Sequence, residues 1–84
     1  MTIEEQFGDA QRRVKTLTKA PDTETLLELY ALYKQGSEGD VRGSRPGMMD
    51  FKGRAKFDAW TKKKGLGREV AMQAYVKLVD SLVK

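Results

Sequence analysis

Apolar side chains in this 84-residue chain recur at intervals of three and four residues, in stretches separated by proline or glycine. That interval is the period of an amphipathic α-helix, and no stretch shows the alternation of a β-strand. Thr2 and Glu5 have the spacing of a capping box that would start a first helix. Pro21 predicts its end near Lys19 and Ala20, because the residue before a proline avoids helical geometry. The apolar face of this helix comprises Ile3, Phe7, Ala10, Val14 and Leu17.

A second helix can be capped by Asp22 or Thr23 and is expected to end at Gly36, since glycine readily adopts the left-handed conformation that terminates helices. Leu29 and Leu32 widen its apolar surface. One face of this helix combines apolar, aromatic and cationic side chains, namely Leu26, Tyr30, Tyr33 and Lys34.

The stretch from Ser37 to Met49 is rich in glycine and charge and has no periodicity, so it is predicted to be a long loop that crosses the molecule. Asp50 can cap a third helix that runs to Lys64, and a fourth is predicted from Arg68 to Lys84. The apolar stripe of the fourth helix comprises Ala71, Ala74, Tyr75, Leu78 and Leu82. Residues 1–84 are therefore predicted to form a single all-α domain, a four-helix bundle with a long crossover loop between helices 2 and 3.

The chain contains neither cysteine nor histidine. It therefore lacks the usual ligands of zinc and the commonest general base, and we expect no catalytic residue, no metal and no cofactor. Glu4 and Glu5 lie where a signal peptide would be basic, and no apolar run approaches the ~18 residues of a membrane span. A soluble, uncleaved, cytoplasmic protein is expected.

The formal net charge of +4 favours anionic partners without choosing among them. Lys62, Lys63 and Lys64 beside Trp60 have the basic and aromatic character of nucleic-acid binders. Cations at the end of a helix also complement the helix dipole, and an aromatic residue at core spacing usually packs. The structural explanation is the stronger of the two for this segment.

Tyr30, Tyr33 and Lys34 form the most informative cluster, because residues three and four apart project from one side of a helix. Spacing alone favours an ordinary structural role for them. A ligand-binding role becomes the better explanation when residues of the same types on other helices are considered. A phosphorylated nucleotide requires aromatic rings to pack on its base and ammonium groups to bind its phosphates. Further residues of these types lie on the other predicted helices, at Lys15, Lys52, Lys56 and Tyr75.

Two segments resemble the signature of the acyl-CoA-binding protein family. They are Tyr30 to Gln35 (YALYKQ) and Arg45 to Trp60 (RPGMMDFKGRAKFDAW). The resemblance continues to Tyr75 and reaches back to Phe7, so it covers essentially the whole chain. It implies a four-helix up-down-down-up bundle with a bowl-shaped binding face.

The resemblance also implies roles for individual residues. Tyr30, Lys34 and Lys56 would hold the ribose 3′-phosphate of CoA, Tyr33 would pack on the adenine, and Tyr75 would lie against the ligand. The remaining expected site residues are Lys15 and Lys52, which would border the head group, and Leu26 and Leu27, which would line the acyl groove. The chain departs from the family pattern at Ala20, Gly36 and Phe57.

The implied function is that of a monomeric carrier and buffer of medium- to long-chain fatty acyl-CoA esters that performs no catalysis and meets acyl-CoA-using enzymes transiently. Neither nucleic acid nor stable membrane insertion is expected. Two alternatives remain open at this point. A basic nucleic-acid-binding module would bind in a strongly salt-dependent way, and a helical interaction domain would use the tyrosine face as a peptide groove.

Overall fold

The computed structural model describes residues 1–83, which form four α-helices and no strand. The helices are α1 (Ile3–Val14), α2 (Thr23–Glu38), α3 (Phe51–Thr61) and α4 (Arg68–Leu82). The predicted all-α, four-helix class is confirmed. The fourth helix, predicted to run to Lys84, ends at Leu82, because Val83 has extended backbone geometry; Lys84 lies outside the described residues. Helix α4 packs against both α1 and α2, and α3 packs against α2.

The first three helices begin at polar caps predicted from the sequence. The Thr2 hydroxyl accepts a hydrogen bond from the Glu5 N–H at 3.1 Å, and the Glu5 carboxylate accepts one from the Thr2 N–H at 3.0 Å, which completes a capping box. Asp22 accepts a backbone N–H of the first turn of α2 at 2.8 Å, and Asp50 accepts one from α3 at 2.9 Å. These carboxylates satisfy N–H groups that have no partner within the helix.

Helix α1 ends earlier than predicted. The N–H groups of Lys15 and Thr16 donate to the carbonyls of Arg12 and Arg13, three residues back, at 3.3 and 3.0 Å. The Thr16 hydroxyl donates to the Arg13 carbonyl as well, at 2.6 Å. These tighter bonds close the last turn, and residues 15–22 form a connection in place of the further helical turns expected before Pro21.

Helix α2 continues past Gly36, so the predicted end at that glycine is wrong. Gly39, at a φ of 85°, terminates the helix instead. Gly36 is buried within α2, where an added Cβ would lie 3.1 Å from both the Phe7 ring and the Met72 side chain. The glycine therefore serves close packing of α2 against its neighbours, and an alanine there would displace those side chains by a few tenths of an ångström.

Hydrogen bonds hold the start of the long connection from α2 to α3 against the rest of the molecule. The Trp60 indole N–H donates to the Gly39 carbonyl at 2.9 Å. The Asp40 carboxylate accepts from the Gly65 N–H and from the side chain of the buried Gln35, both at 2.8 Å. These two hydrogen bonds hold the pKa of Asp40 below its usual value, with the larger effect from Gly65. The connection is thus tied to the end of α3 and to the turn before α4.

An ion pair also holds the same connection against α3 further along the chain. Arg45 donates to both oxygens of Asp58 on α3, at 2.9 and 2.6 Å, in the forked geometry that arginine offers carboxylates.

Helix α3 ends at Thr61 and not at the predicted Lys64, because the Lys63 and Lys64 N–H groups bond only three residues back.

The core lies where α4 meets α1 and α2. Phe7 of α1, Leu32 of α2 and Val79 of α4 are all buried there. The remaining buried members of this cluster are Ala10, Leu29, Ala71, Met72 and Tyr75. Because α4 and the inner face of α2 are committed to this core, the outer face of α2 and the edge of α3 remain available for a binding surface.

Candidate ligand-binding site

A cavity of about 610 Å³, here called the α1/α2 cavity, opens beside the connection between α1 and α2. The end of α1 and the connection form one wall, and α2 with one residue of α4 forms the other. Apart from Lys15, Thr18 and the tyrosine hydroxyls, its lining side chains are apolar. The lining comprises Val14, Lys15, Leu17, Thr18, Ala20, Pro21, Leu26, Leu29, Tyr30, Tyr33 and Tyr75.

A second cavity of about 280 Å³, here called the α2/α3 cavity, lies between those two helices. Its lining comprises Thr23, Leu26, Leu27, Tyr30, Lys52, Ala55 and Lys56. The two cavities share Leu26 and Tyr30 and therefore adjoin each other across α2; together they are here called the joined groove. Leu26 lies where the two cavities meet and is 47% exposed. The groove therefore presents a large apolar side chain that the described residues cover only by about half.

Phe7 contacts two of the three tyrosines that line the α1/α2 cavity. Its ring meets the ring of Tyr75 edge-to-face at 5.1 Å and lies 6.1 Å from the ring of Tyr33. Tyr75 is buried, and this burial, reinforced by Tyr33, raises the pKa of its phenol. Tyr75 therefore stays neutral and presents an aromatic surface, while Tyr33 remains partly exposed to any ligand.

Cationic side chains lie along both halves of the groove. Lys56 places its ammonium 5.3 Å from the centre of the Tyr30 ring, within the range of a cation–π contact, and Lys52 lines the same cavity. Lys15 lines the α1/α2 cavity at the end of α1. An anionic group bound near Tyr30 would therefore meet a positive charge already positioned over the ring.

Lys34 is placed differently from the other predicted site residues. It lines neither cavity: its ammonium pairs with the Glu38 carboxylate one turn later and lies 4.8 Å from the centre of the Trp60 ring. The hydrogen bond from Lys34 is the main reason that the pKa of Glu38 lies below its usual value. Glu38 is therefore ionised at neutral pH and holds Lys34 outside the groove.

The structure brings every predicted site residue except Lys34 to the joined groove. The residues that line it are Lys15, Leu26, Leu27, Tyr30, Tyr33, Lys52, Lys56 and Tyr75. Their individual roles toward a ligand stay predictions. Lys34 lies on the adjacent part of α2, with its charge directed to Glu38 and Trp60.

Sequence reasoning missed part of the lining because it extended α1 too far. Thr18 and Pro21 line the α1/α2 cavity, as does Ala20, which sequence reasoning noted only as a departure from the family pattern. All three belong to the connection that follows α1. The signal available in the sequence was Thr16, whose hydroxyl competes for a backbone carbonyl and weakens a helix end.

A third cavity, of about 460 Å³, shares Leu27 and Ala55 with the α2/α3 cavity. Its lining is dominated by charged side chains, among them Glu28 and Lys63, which pair at 2.7 Å. It is therefore less suited to an apolar ligand than the joined groove. Within residues 1–83, no cluster of acidic side chains could hold a metal ion, and no helix is long and apolar enough to span a bilayer.

The joined groove suits an elongated ligand with an apolar chain and an anionic head. Apolar side chains and aromatic rings can exclude water from the chain, and the ammonium groups of Lys15, Lys52 and Lys56 can bind phosphate oxygens. The groove is open, and it contains neither a histidine nor a cysteine.

Comparison with known proteins finds similarity to acyl-CoA-binding proteins. The profile of a family described as "Acyl CoA binding protein" matches residues 4–79. The chain is 51% identical over 84 residues to an acyl-CoA-binding protein homolog from Manduca sexta, covering 99% of this chain and 93% of that protein. It is 52% identical over 77 residues to acyl-CoA-binding protein homolog 1 from Caenorhabditis elegans, covering 92% of this chain and 90% of the relative.

Solved structures show the same similarity. The crystal structure of acyl-CoA-binding protein 2 from Oryza sativa superposes with a TM-score of 0.91 at 39% identity, over 95% of this chain and 87% of that one. The solution structure of acyl coenzyme A binding protein from yeast superposes with a TM-score of 0.76 at 41% identity, over 95% of this chain and 93% of the other.

Proposed function

The chain belongs to the acyl-CoA-binding protein family, and from this premise we propose that it binds medium- to long-chain fatty acyl-CoA esters and serves as their carrier and buffer. The family is one of binding proteins and not of enzymes, so no bond of the ligand is made or broken. The observation that carries the proposal is the joined groove, in which the exposed Leu26 adjoins the Lys56–Tyr30 pair.

The acyl chain occupies the apolar part of the groove in this proposal. Each methylene removed from water contributes about 0.8 kcal/mol, so a dozen would contribute roughly 10 kcal/mol before the cost of association. Leu26 and Leu27 offer the apolar surface for this burial, and Ala55 lines the opposite wall on α3. Burial of the chain would supply most of the affinity and would shield the chain from water and membranes.

The CoA head group provides specificity in this proposal. The ribose 3′-phosphate is bound by Lys56, Tyr30 and Lys34. The ammonium of Lys56 already lies over the Tyr30 ring, so two of these three groups are close together before the ligand binds. Lys15 and Lys52 border the head group from the two sides of the groove. The adenine packs on Tyr33, whose ring is partly exposed, and Tyr75 lies against the ligand.

We propose the remaining properties on the same premise. Residues 1–84 act as one acyl-CoA-binding domain, which is monomeric and cytoplasmic and meets acyl-CoA-using enzymes only transiently. It neither binds nucleic acid nor inserts stably into membranes. A dimer in sedimentation equilibrium or a membrane-bound fraction after cell fractionation would contradict this part of the proposal.

Titration calorimetry with palmitoyl-CoA tests the function and the head-group assignment together. The wild-type protein is expected to bind with a micromolar or lower Kd. Lys56→Ala is expected to weaken binding by about tenfold, because it removes a charge-assisted contact to phosphate. Lys77→Ala is the matched control, since Lys77 is exposed on α4 and lines neither cavity.

Three outcomes would count against the proposal in different ways. Failure of the wild-type protein to bind palmitoyl-CoA at micromolar concentration would remove the carrier function. Equal weakening by Lys56→Ala and Lys77→Ala would leave only a general effect of net charge. Duplex DNA that displaced palmitoyl-CoA at low salt but not at high salt would favour the nucleic-acid alternative.

A further inference from the structure

The Lys34 ammonium is occupied by partners outside the groove. Glu38 accepts its hydrogen bond, and the Trp60 ring lies 4.8 Å away as a cation–π partner. The Lys34 side chain is only 20% exposed, and that of Glu38 is 35% exposed, so the pair is partly shielded from solvent. Lys34 must leave at least the carboxylate before it can bind a phosphate in the groove.

We propose that Glu38 is a latch on Lys34 that the ligand displaces: the carboxylate competes with the 3′-phosphate of CoA for the Lys34 ammonium and thereby sets the affinity for the phosphorylated head group. This inference rests on the proposed function, because it requires that Lys34 contacts that phosphate when acyl-CoA is bound. It makes Glu38, which lines neither cavity, a residue that determines affinity.

The orientation of the pair makes it easy to open. In a helix, an acidic residue four positions before a basic one forms the more favourable pair, and Lys34 and Glu38 have the reverse order. Helical side chains also tilt toward the N-terminus, which is the direction of Tyr30 and away from Glu38. When released, Lys34 is therefore expected to swing back one turn toward the Tyr30 ring and the Lys56 ammonium.

Arg42 lowers the cost of this movement. Its guanidinium donates to the second oxygen of Glu38 at 3.2 Å, so the carboxylate keeps a cationic partner after Lys34 leaves. A phosphate with up to two negative charges is a stronger partner for Lys34 than a carboxylate that it shares with Arg42. The latch is therefore closed in the free protein and open in the complex.

Glu38→Gln tests the latch in calorimetric titrations at fixed ionic strength. It is expected to bind palmitoyl-CoA about two- to fivefold more tightly than the wild-type protein, which is the range that a partly exposed ion pair can supply. Glu69→Gln is the matched control, because it removes the same charge from an exposed position in the first turn of α4. The gain is expected to vanish with palmitoyl-dephospho-CoA, which lacks the 3′-phosphate, and in the Lys34→Ala background.

The outcomes separate this inference from the proposed function. If the wild-type protein does not bind palmitoyl-CoA, the proposed function fails, and the latch fails with it. If the wild-type protein binds but Glu38→Gln binds no more tightly than Glu69→Gln, only the latch is overturned. A gain that persists with palmitoyl-dephospho-CoA or without Lys34 would also overturn it, because the effect would then not pass through the phosphate and Lys34.

Discussion

Palmitoyl-CoA is expected to bind this protein roughly a thousandfold or more tightly than free CoA does. That ratio corresponds to about 4 kcal/mol, which is the contribution of about five fully buried methylenes. The joined groove provides for this burial because Leu26 is half exposed and the groove continues between α2 and α3 past Leu27 and Ala55.

A series of esters with increasing chain length measures this effect by titration calorimetry. Between octanoyl-CoA and palmitoyl-CoA, each added methylene is expected to strengthen binding by up to about fourfold until the chain fills the groove. The heat-capacity change of binding should become more negative along the series, because apolar surface leaves water. Equal affinity for free CoA and palmitoyl-CoA would show that the groove does not bind the chain.

Trp60→Ala is expected to lower the free energy of unfolding by about 3–5 kcal/mol, the usual range for removing a large buried aromatic side chain. Trp60 is 6% exposed, its indole N–H donates to the Gly39 carbonyl at 2.9 Å, and its ring contacts the Lys34 ammonium. The substitution therefore removes packing of α3 and also frees the start of the long connection. In a domain with a total stability of about 5–15 kcal/mol, this is a large loss.

Equilibrium unfolding in urea measures the loss, with Phe51→Ala as the control on the same helix. Phe51 is 75% exposed, so its truncation is expected to change the free energy of unfolding by less than about 0.5 kcal/mol. Equal losses for the two variants would mean that Trp60 does not fasten α3 and the connection.

The helices could be predicted from the sequence because spacing and caps are local signals. Thr2 with Glu5, Asp22 and Asp50 each mark a helix start, and the structure has caps at all of them. The ends were less predictable. Gly36 has the local character of a terminator, but its lack of a side chain serves contacts with Phe7 and Met72. Those contacts are tertiary and leave no periodic trace in the sequence.

The candidate site was predictable only in part, for two physical reasons. The shape of the α1/α2 cavity depends on where α1 ends, and a competition between hydrogen bonds near Thr16 decides that end. The position of the Lys34 ammonium depends on which of several neighbouring side chains it contacts. Spacing places Lys34 on the face of Tyr30, but a long flexible side chain can instead reach Glu38 and Trp60. Helical periodicity assigns a face to a residue and does not assign a partner.

The central claim is that the joined groove of the α1/α2 and α2/α3 cavities is the acyl-CoA site. Backbone amide chemical shifts, recorded by NMR while palmitoyl-CoA is added, test it most directly. The largest changes are expected in residues 15–21, along α2 from Leu26 to Lys34, and in residues 52–56 of α3, with the smallest near Glu4 and Ser81. Changes concentrated in residues 62–64, or spread evenly over the chain, would contradict the claim.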